Sequence, residues 1–249
     1  MNIYSVPRIL DEIKWVAEQL FERNWAEKNA GNFSIRLLDG YDLPKNVEES
    51  PSILFGTTFL SLRNQLLLMK SSGAKMRDIA KNPTTGTGLL VIAGDGESGK
   101  YFPLIEDCQH TMPSSELLSH LKIQEYLASH SPSMNSVLHT HPLEIIVFSH
   151  LIKEKSVTEL NQILLSMHAE IPMLFPSGVG FIPFLEPGSL DLAKASVAGL
   201  EQHSVLIWEK HGCLSIGKNL SESYDSIDII NKGCSIYLKL NRPSIMEGC

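Results

Sequence analysis

The feature that most constrains this sequence is a pair of histidines, His139 and His141, in a short β-prone run that ends at Pro142. Alternate residues of a strand share a face, so both imidazoles point to one side, about 6.5–7 Å apart along the strand. Two imidazoles arranged in this way can reach a common metal ion at about 2.0–2.1 Å. The alternative is a pair of exposed polar residues at the rim of a sheet.

A catalytic zinc site needs a third protein ligand and keeps one position open. His211 is the strongest candidate, because it follows the apolar run 205–208 and precedes Gly212, where a buried strand emerges at a sheet edge. Three weaker alternatives are His168, His203 and Cys213. We therefore expect His139, His141 and His211 to bind one zinc ion and to leave room for substrate oxygens.

Composition excludes several other classes of protein. The 249 residues are 43% hydrophobic, which excludes a disordered chain, and the net charge is −7 with scattered basic residues, which argues against nucleic-acid binding. The longest uncharged apolar stretch, 171–185, contains three prolines and is too short to span a bilayer. No secretory signal is visible at the start, so we expect a cytoplasmic protein. Its four cysteines, Cys108, Cys213, Cys234 and Cys249, form no CxxC pair and are expected to be reduced.

Helical and strand patterns interleave without a regular βαβ rhythm. Helices are predicted over about 8–28, 114–128, 191–202 and 221–240, with Gly31 as a stop signal for the first. Strands are predicted at 33–37, 65–70, 89–93, 100–104, 137–141, 181–184, 205–208 and 213–216, the first of them half-buried. These patterns favour one layered α/β/α domain over residues 1–249, with a mostly antiparallel sheet.

A metal-binding β-barrel of the cupin type is a competing architecture. Such barrels also carry a His-x-His pair followed by a carboxylate, and Glu144 lies three residues after His141. That spacing is one residue tighter than the usual cupin pattern. The long predicted helices argue against a small all-β barrel.

Three segments carry groups that could bind an anion. They are Asn29 to Asn32 at a helix-to-strand turn, Ser72 and Gly73 after a strand with Lys75 nearby, and Ser114 with Ser115 at a predicted helix start. A capped helix end, a plain turn and an ordinary N-cap would explain each segment separately. Together the three signals favour a phosphorylated ligand. Glu116 follows in the predicted first helical turn and is a candidate proton-transfer group.

In this order, the three anion-binding segments, Glu116, the histidine pair and His211-Gly212 resemble the motifs of the class II sugar-phosphate aldolase family. The second half, with Phe175-Pro-Ser-Gly-Val-Gly180 and Glu186-Pro-Gly188, most resembles its rhamnulose-1-phosphate branch. The resemblance covers about residues 24–240. The chain departs from relatives in a tail that ends soon after Pro243, which bears on aldehyde selectivity more than on the chemistry.

The resemblance implies an α/β/α fold, a homotetramer with sites near subunit contacts, and zinc-dependent cleavage of a ketose 1-phosphate. By matching positions, His139, His141 and His211 would bind zinc and Glu116 would transfer the proton. The residues implied to surround the phosphate are Asn29, Asn32, Ser72, Gly73, Ser114 and Ser115. Glu170 matches a second acidic position, which would approach a neighbouring subunit's site. Fuculose-1-phosphate aldolases, sugar-phosphate epimerases or dehydratases and adducin-like scaffolds remain alternatives within the same fold.

Overall fold

The structure, a computed structural model, describes residues 6–38, 51–105 and 110–241. These contain eight α-helices: α1 (Val6–Glu22), α2 (Met76–Ile79), α3 (Leu117–His130), α4 (Leu143–Ile152), α5 (Val157–Met167), α6 (Glu170–Leu174), α7 (Leu190–Leu200) and α8 (Leu220–Leu240). They also contain nine strands: β1 (Asn32–Leu37), β2 (Ser52–Leu54), β3 (Leu66–Lys70), β4 (Thr87–Ile92), β5 (Ser98–Pro103), β6 (Ser136–Thr140), β7 (Gly180–Ile182), β8 (Val205–Trp208) and β9 (Gly212–Gly217). Cys108, Cys249 and the tail after Pro243 lie outside the described residues.

The strands form one sheet in the order β2-β5-β4-β3-β1-β6-β9-β8-β7. Neighbouring strands run antiparallel except for β7 and β8, which are parallel. The prediction of a mostly antiparallel sheet is confirmed. β1 lies in the middle of the sheet, between β3 and β6, and all six of its residues are buried. The prediction of a half-buried first strand is therefore wrong, because protein covers both faces at this position.

Helices pack on both faces of the sheet. Successive residues of β6 show this, since Val137 joins a core with Leu127 of α3 and Leu192 of α7, whereas Leu138 joins a core with residues of α1, α4, α5 and α8. The layered α/β/α class is confirmed, and the cupin barrel is wrong. No helix in the described ranges is both long and apolar enough to cross a membrane.

The first helix ends earlier than its pattern predicts. Asn24 adopts a positive φ of 56°, and the backbone N–H groups of Asn24 and Trp25 donate to the carbonyls of Phe21 and Leu20. This is the Schellman arrangement that terminates a helix, with asparagine in the left-handed position. The helix therefore stops at Glu22 rather than near Lys28, and a loop over residues 23–31 leads into β1.

The start of α3 also differs from its prediction. The helix begins at Leu117, Glu116 occupies the N-cap position, and no side chain caps the helix. Ser114 lies two residues before the N-cap, where its hydroxyl accepts from the Glu116 N–H at 3.3 Å and its own N–H donates to the carbonyl of Lys70 at 3.1 Å, which holds this segment against the end of β3. Glu116 therefore precedes the helix instead of lying in its first turn.

Candidate active site

The three predicted metal ligands converge at one end of β6 and β9. His139 lies on β6, His141 follows that strand, and His211 precedes β9, which pairs antiparallel with β6. The turn between β8 and β9 brings His211 close, and it requires Gly212, whose φ is 150° and where a Cβ would lie 2.3 Å from the carbonyl oxygen of Thr140. One potential ligand atom from each histidine lies within 4.8 Å of the others.

Hydrogen bonds fix the orientation of two of these rings. Nδ1 of His139 donates to the carbonyl oxygen of Cys213, and Nδ1 of His141 donates to Oε1 of Glu27, both at 2.8 Å. A neutral imidazole has one N–H, so each Nε2 carries a lone pair. The two Nε2 atoms are 3.1 Å apart, near the spacing of about 3.3 Å for two ligands of a tetrahedral zinc ion.

Burial keeps two of the three histidines, His139 and His211, neutral. It lowers the pKa of His139 well below the usual range, and it lowers that of His211 to about 4, with the neighbouring histidines adding to both shifts. Nδ1 of His211 is buried and has no hydrogen-bond partner within the described ranges. Facing lone pairs and an unpaired buried nitrogen are unfavourable by themselves. The donor set therefore fits a metal cation.

Glu116, which precedes α3, lines the same cavity as the three histidines. Its Oε2 accepts hydrogen bonds from the Gly188 N–H at 3.1 Å and the Ser119 hydroxyl at 3.4 Å. Glu116 as a whole residue is only 6% exposed. Burial raises its pKa, and the two hydrogen bonds and His141 oppose that rise. A carboxyl held in this way, with a raised pKa, is suited to exchanging a proton with a ligand.

A single cleft of about 220 Å³ joins these groups to the predicted anion-binding segments. Ten predicted site residues line it: Asn29, Asn32, Ser72, Gly73, Ser114, Ser115, Glu116, His139, His141 and His211. They come from the 23–31 loop, β1, the end of β3, the segment before α3, β6 and the β8–β9 turn. Residues separated by up to 182 positions therefore share one cavity.

Among the described residues, one lysine or arginine lines this cleft, and it is not the lysine that the sequence singled out. Lys75 does not line the cleft, whereas Lys70, at the end of β3, does. The Lys70 ammonium donates to the Asn29 carbonyl at 2.9 Å, and burial lowers its pKa to about 8. A protonated amine therefore lies among the uncharged donors at neutral pH.

Residues 11–238 match the family described as Class II Aldolase and Adducin N-terminal domain. The chain belongs to this family.

Several relatives indicate which class II aldolases this chain resembles. The chain is similar to a rhamnulose-1-phosphate aldolase from Bacteroides thetaiotaomicron, 31% identical over 93% of this chain and 87% of the relative. Another rhamnulose-1-phosphate aldolase, from Listeria welshimeri, is 27% identical over 96% of this chain and 85% of that protein. A crystal structure of a sugar-phosphate aldolase from Thermotoga maritima superposes with a TM-score of 0.79 and is 28% identical, covering 95% of this chain and 97% of that chain. The chain is therefore an aldolase, a lyase.

Glu170 is the one predicted site residue that lies outside the cleft of this aldolase. It is exposed at the start of α6. The predicted approach to a neighbouring subunit's site is not tested within a single chain and stays a prediction.

Two residues and one contact of the class II aldolase site escaped sequence reasoning. Lys70, which lines the cleft, ends an apolar strand pattern. His120 is buried on α3 with Nε2 against Oδ1 of Asn32, but in the sequence it is one polar residue of a helical pattern. Gly188 belongs to the Glu186-Pro-Gly188 motif, but only the fold brings its N–H to Glu116. Gly188 has a φ of +76°, which glycine adopts without strain, so the motif itself was the available signal.

Proposed function

We propose that this class II aldolase reversibly cleaves L-rhamnulose 1-phosphate to dihydroxyacetone phosphate and L-lactaldehyde, with zinc as its cofactor. The observation that carries the proposal is the single cleft that contains a three-histidine cluster, a buried carboxyl and a set of anion-binding donors. The resemblance of the whole chain to rhamnulose-1-phosphate aldolases supports the choice of substrate.

His139, His141 and His211 would hold the zinc ion, each through one ring nitrogen, and burial already keeps His139 and His211 neutral. When bound, zinc supplies Lewis-acid stabilisation of the negative charge that develops as the C3–C4 bond breaks. Glu27 and the Cys213 carbonyl hold two of the rings by their Nδ1–H groups, which would orient Nε2 of each ring toward the ion.

The phosphate of the substrate would occupy the other end of the cleft. Asn29, Asn32, Ser72, Ser114 and Ser115 supply amide and hydroxyl donors there, and Gly73 allows the backbone to approach closely. Lys70 contributes a positive charge at this end. Because these contacts involve only the end of the substrate that becomes dihydroxyacetone phosphate, they would serve any ketose 1-phosphate equally.

Glu116 would carry the proton. In cleavage the C4 hydroxyl gives its proton to water and becomes the aldehyde, and the electrons of the C3–C4 bond remain on C3 as an enediolate. The protonated Glu116 carboxyl then delivers its proton to C3, which completes dihydroxyacetone phosphate, and it regains a proton from water, so that no net proton is gained or lost. In the synthetic direction the same carboxylate removes that proton. The Gly188 and Ser119 donors hold Oε2 and leave Oε1 for this transfer.

We also propose that the enzyme works as a cytoplasmic homotetramer. Leu143, Val147 and Leu151 form an exposed apolar stripe on α4, four residues apart, immediately after His141. Such a stripe is typical of a protein–protein contact, and its position would put subunit contacts beside the cleft. Glu170 of one subunit would then approach the cleft of another. Sedimentation equilibrium tests this proposal, and a purely monomeric protein would contradict it.

A metal analysis followed by a coupled assay tests the proposed reaction. Zinc-loaded protein is given L-rhamnulose 1-phosphate or L-fuculose 1-phosphate, and dihydroxyacetone phosphate is measured with NADH-linked glycerol-3-phosphate dehydrogenase. We expect the higher kcat/KM with L-rhamnulose 1-phosphate, loss of activity on chelation and recovery with zinc. Absence of dihydroxyacetone phosphate, or a preference for L-fuculose 1-phosphate, would contradict the proposed substrate.

A further inference from the structure

A chain of four buried polar side chains lies directly beneath the cleft. Nε2 of Gln124 lies 3.1 Å from Oγ of Ser34, and that oxygen lies 2.8 Å from Nδ1 of His120. Nε2 of His120 then lies 2.5 Å from Oδ1 of Asn32, which lines the cleft. All four residues are buried, with His120 and Gln124 on α3 and the other two on β1.

The direction of these hydrogen bonds is determined at the end far from the cleft. The Gln124 amide nitrogen donates to the backbone carbonyls of Asn135 at 2.9 Å and Ser34 at 3.3 Å, so the amide cannot be reversed. One of its two N–H groups is shared between the Ser34 carbonyl and Oγ of Ser34, so Gln124 acts only as a donor to this hydroxyl. Among the described residues, Nδ1 of His120 is the one acceptor within hydrogen-bond distance of Oγ of Ser34, so the Ser34 hydroxyl donates to it. Burial lowers the pKa of His120 to about 3, so the ring is neutral and its one proton is on Nε2.

The proton on Nε2 of His120 in turn fixes the Asn32 amide. A ring N–H requires an acceptor, so Asn32 turns Oδ1 toward His120 and its NH₂ group away from it. Nδ2 of Asn32 has no hydrogen-bond partner in the described part of the chain. The amide therefore presents a donor, not an acceptor, to a ligand in the cleft.

We propose that His120 is a positioning residue for the phosphate end of the cleft, holding Oδ1 of Asn32 so that the Asn32 NH₂ group donates to the substrate phosphate. The inference rests on the proposed function, in which Asn32 contacts the phosphate. Without His120 the amide is free to turn its oxygen toward the anion, where it would repel the phosphate instead of binding it.

A matched pair of amide variants separates this role from general packing. His120→Gln places an amide donor within reach of Asn32, whereas the shorter side chain in His120→Asn keeps a polar group near Ser34 but does not reach Asn32. Affinity for dihydroxyacetone phosphate is measured calorimetrically on the zinc-loaded protein, with circular dichroism and zinc content as folding controls. We expect about tenfold weaker binding for His120→Asn and less than about a threefold change for His120→Gln.

A double-mutant cycle tests whether His120 acts through Asn32. Asn32→Ala removes the donor, so adding His120→Asn to that variant should weaken binding by less than about twofold further. With L-rhamnulose 1-phosphate, His120→Asn should raise KM and leave kcat within about threefold of wild type. A role confined to stability would instead give additive losses and no separation of KM from kcat.

The two proposals fail in different ways. If wild type does not bind dihydroxyacetone phosphate, the proposed function is wrong and this inference falls with it. If wild type binds it and folded His120→Asn binds equally tightly, the inference alone is wrong. Additive losses in the double-mutant cycle would also overturn the inference. Ser223→Ala breaks a buried hydroxyl pair with Ser136 at the other end of β6 and should leave the affinity unchanged.

Discussion

The two ends of the cleft are built from different parts of the polypeptide. At the histidine end, three side chains supply the ligand atoms, and the backbone serves mainly to orient them, as the Cys213 carbonyl does for His139. At the phosphate end, loop backbone contributes more. Gly31 and Gly73 adopt positive φ angles of 71° and 74°, and glycine in such a conformation lets the backbone approach a ligand closely. Replacing one histidine should therefore abolish metal binding, whereas replacing one side chain at the phosphate end should only weaken phosphate binding.

The largest effect is expected at the histidine end. His139→Ala removes one of three ligands and should lower both zinc content and kcat/KM, the latter by at least about a thousandfold, because the ion supplies several kcal/mol to the reaction. Metal analysis by mass spectrometry and the coupled assay measure the two losses. The exposed His150 on α4 provides the matched control, since His150→Ala should change neither. An active, metal-free His139→Ala protein would overturn the zinc assignment.

Glu116→Gln should lower kcat by about 10²–10⁴-fold with zinc still bound, because the amide cannot exchange a proton. Glu201→Gln, at an exposed position at the end of α7, serves as its control. Wild-type kcat in a zinc-loaded Glu116→Gln protein would show that another group transfers the proton.

The pH dependence of the same step gives a second measurement. Glu116 removes the dihydroxyacetone phosphate proton only when ionised, and burial raises its pKa. The rate of deuterium exchange at that carbon should therefore rise with pH, with a midpoint above the usual glutamate value of about 4.3. Proton NMR in D₂O follows this exchange without any aldehyde. Glu116→Gln should lack the step, and an unchanged profile in that variant would contradict the assignment.

A smaller effect is expected from the cation of the phosphate end. Lys70→Met should raise KM for a ketose 1-phosphate by about 10- to 100-fold, the range expected for a charged hydrogen bond, and should change kcat less. Lys75→Met removes a lysine five positions along the same segment that does not line the cleft. Steady-state kinetics of both variants make the comparison, and equal KM values would show that Lys70 does not serve the phosphate.

The smallest effect is expected from Asn29→Ala, which removes one uncharged donor while the Asn29 carbonyl still accepts from Lys70. KM should rise about three- to tenfold for every ketose 1-phosphate tried. A higher KM for one sugar only would indicate that Asn29 contacts the half of the substrate that becomes the aldehyde. Asn29 would then not belong to a separate phosphate end of the cleft.

The sequence predicts the parts of this molecule in which side chains carry a regular pattern. The β-prone run at 137–141, the apolar runs at 205–208 and 213–216 and the helix at 221–240 agree with β6, β8, β9 and α8 within a residue. Hydrophobic periodicity also predicts the layered class, because elements of both kinds must bury an apolar face.

The remaining features depend on tertiary contacts that no local pattern records. α1 stops at Glu22 because Asn24 takes a left-handed conformation. α3 starts only at Leu117, because the segment before it is held at the end of β3, where the Ser114 hydroxyl accepts from the Glu116 N–H. Lys70 and His120 lie in segments whose local patterns are ordinary. Their importance comes from burial beside residues about 40 and 90 positions away in the chain.

The approach of Gly31 to β6 has a consequence for which sugars the cleft can accept. A Cβ on Gly31 would lie 3.3 Å from the carbonyl oxygen of His139, and the next residue, Asn32, pairs directly with His139 in the sheet. The distance between the phosphate donors and the histidine cluster is therefore set by strand pairing rather than by flexible side chains. Under the proposed function, the cleft selects substrates by the fixed number of bonds between phosphate and carbonyl, and it leaves the length of the departing aldehyde to other surfaces.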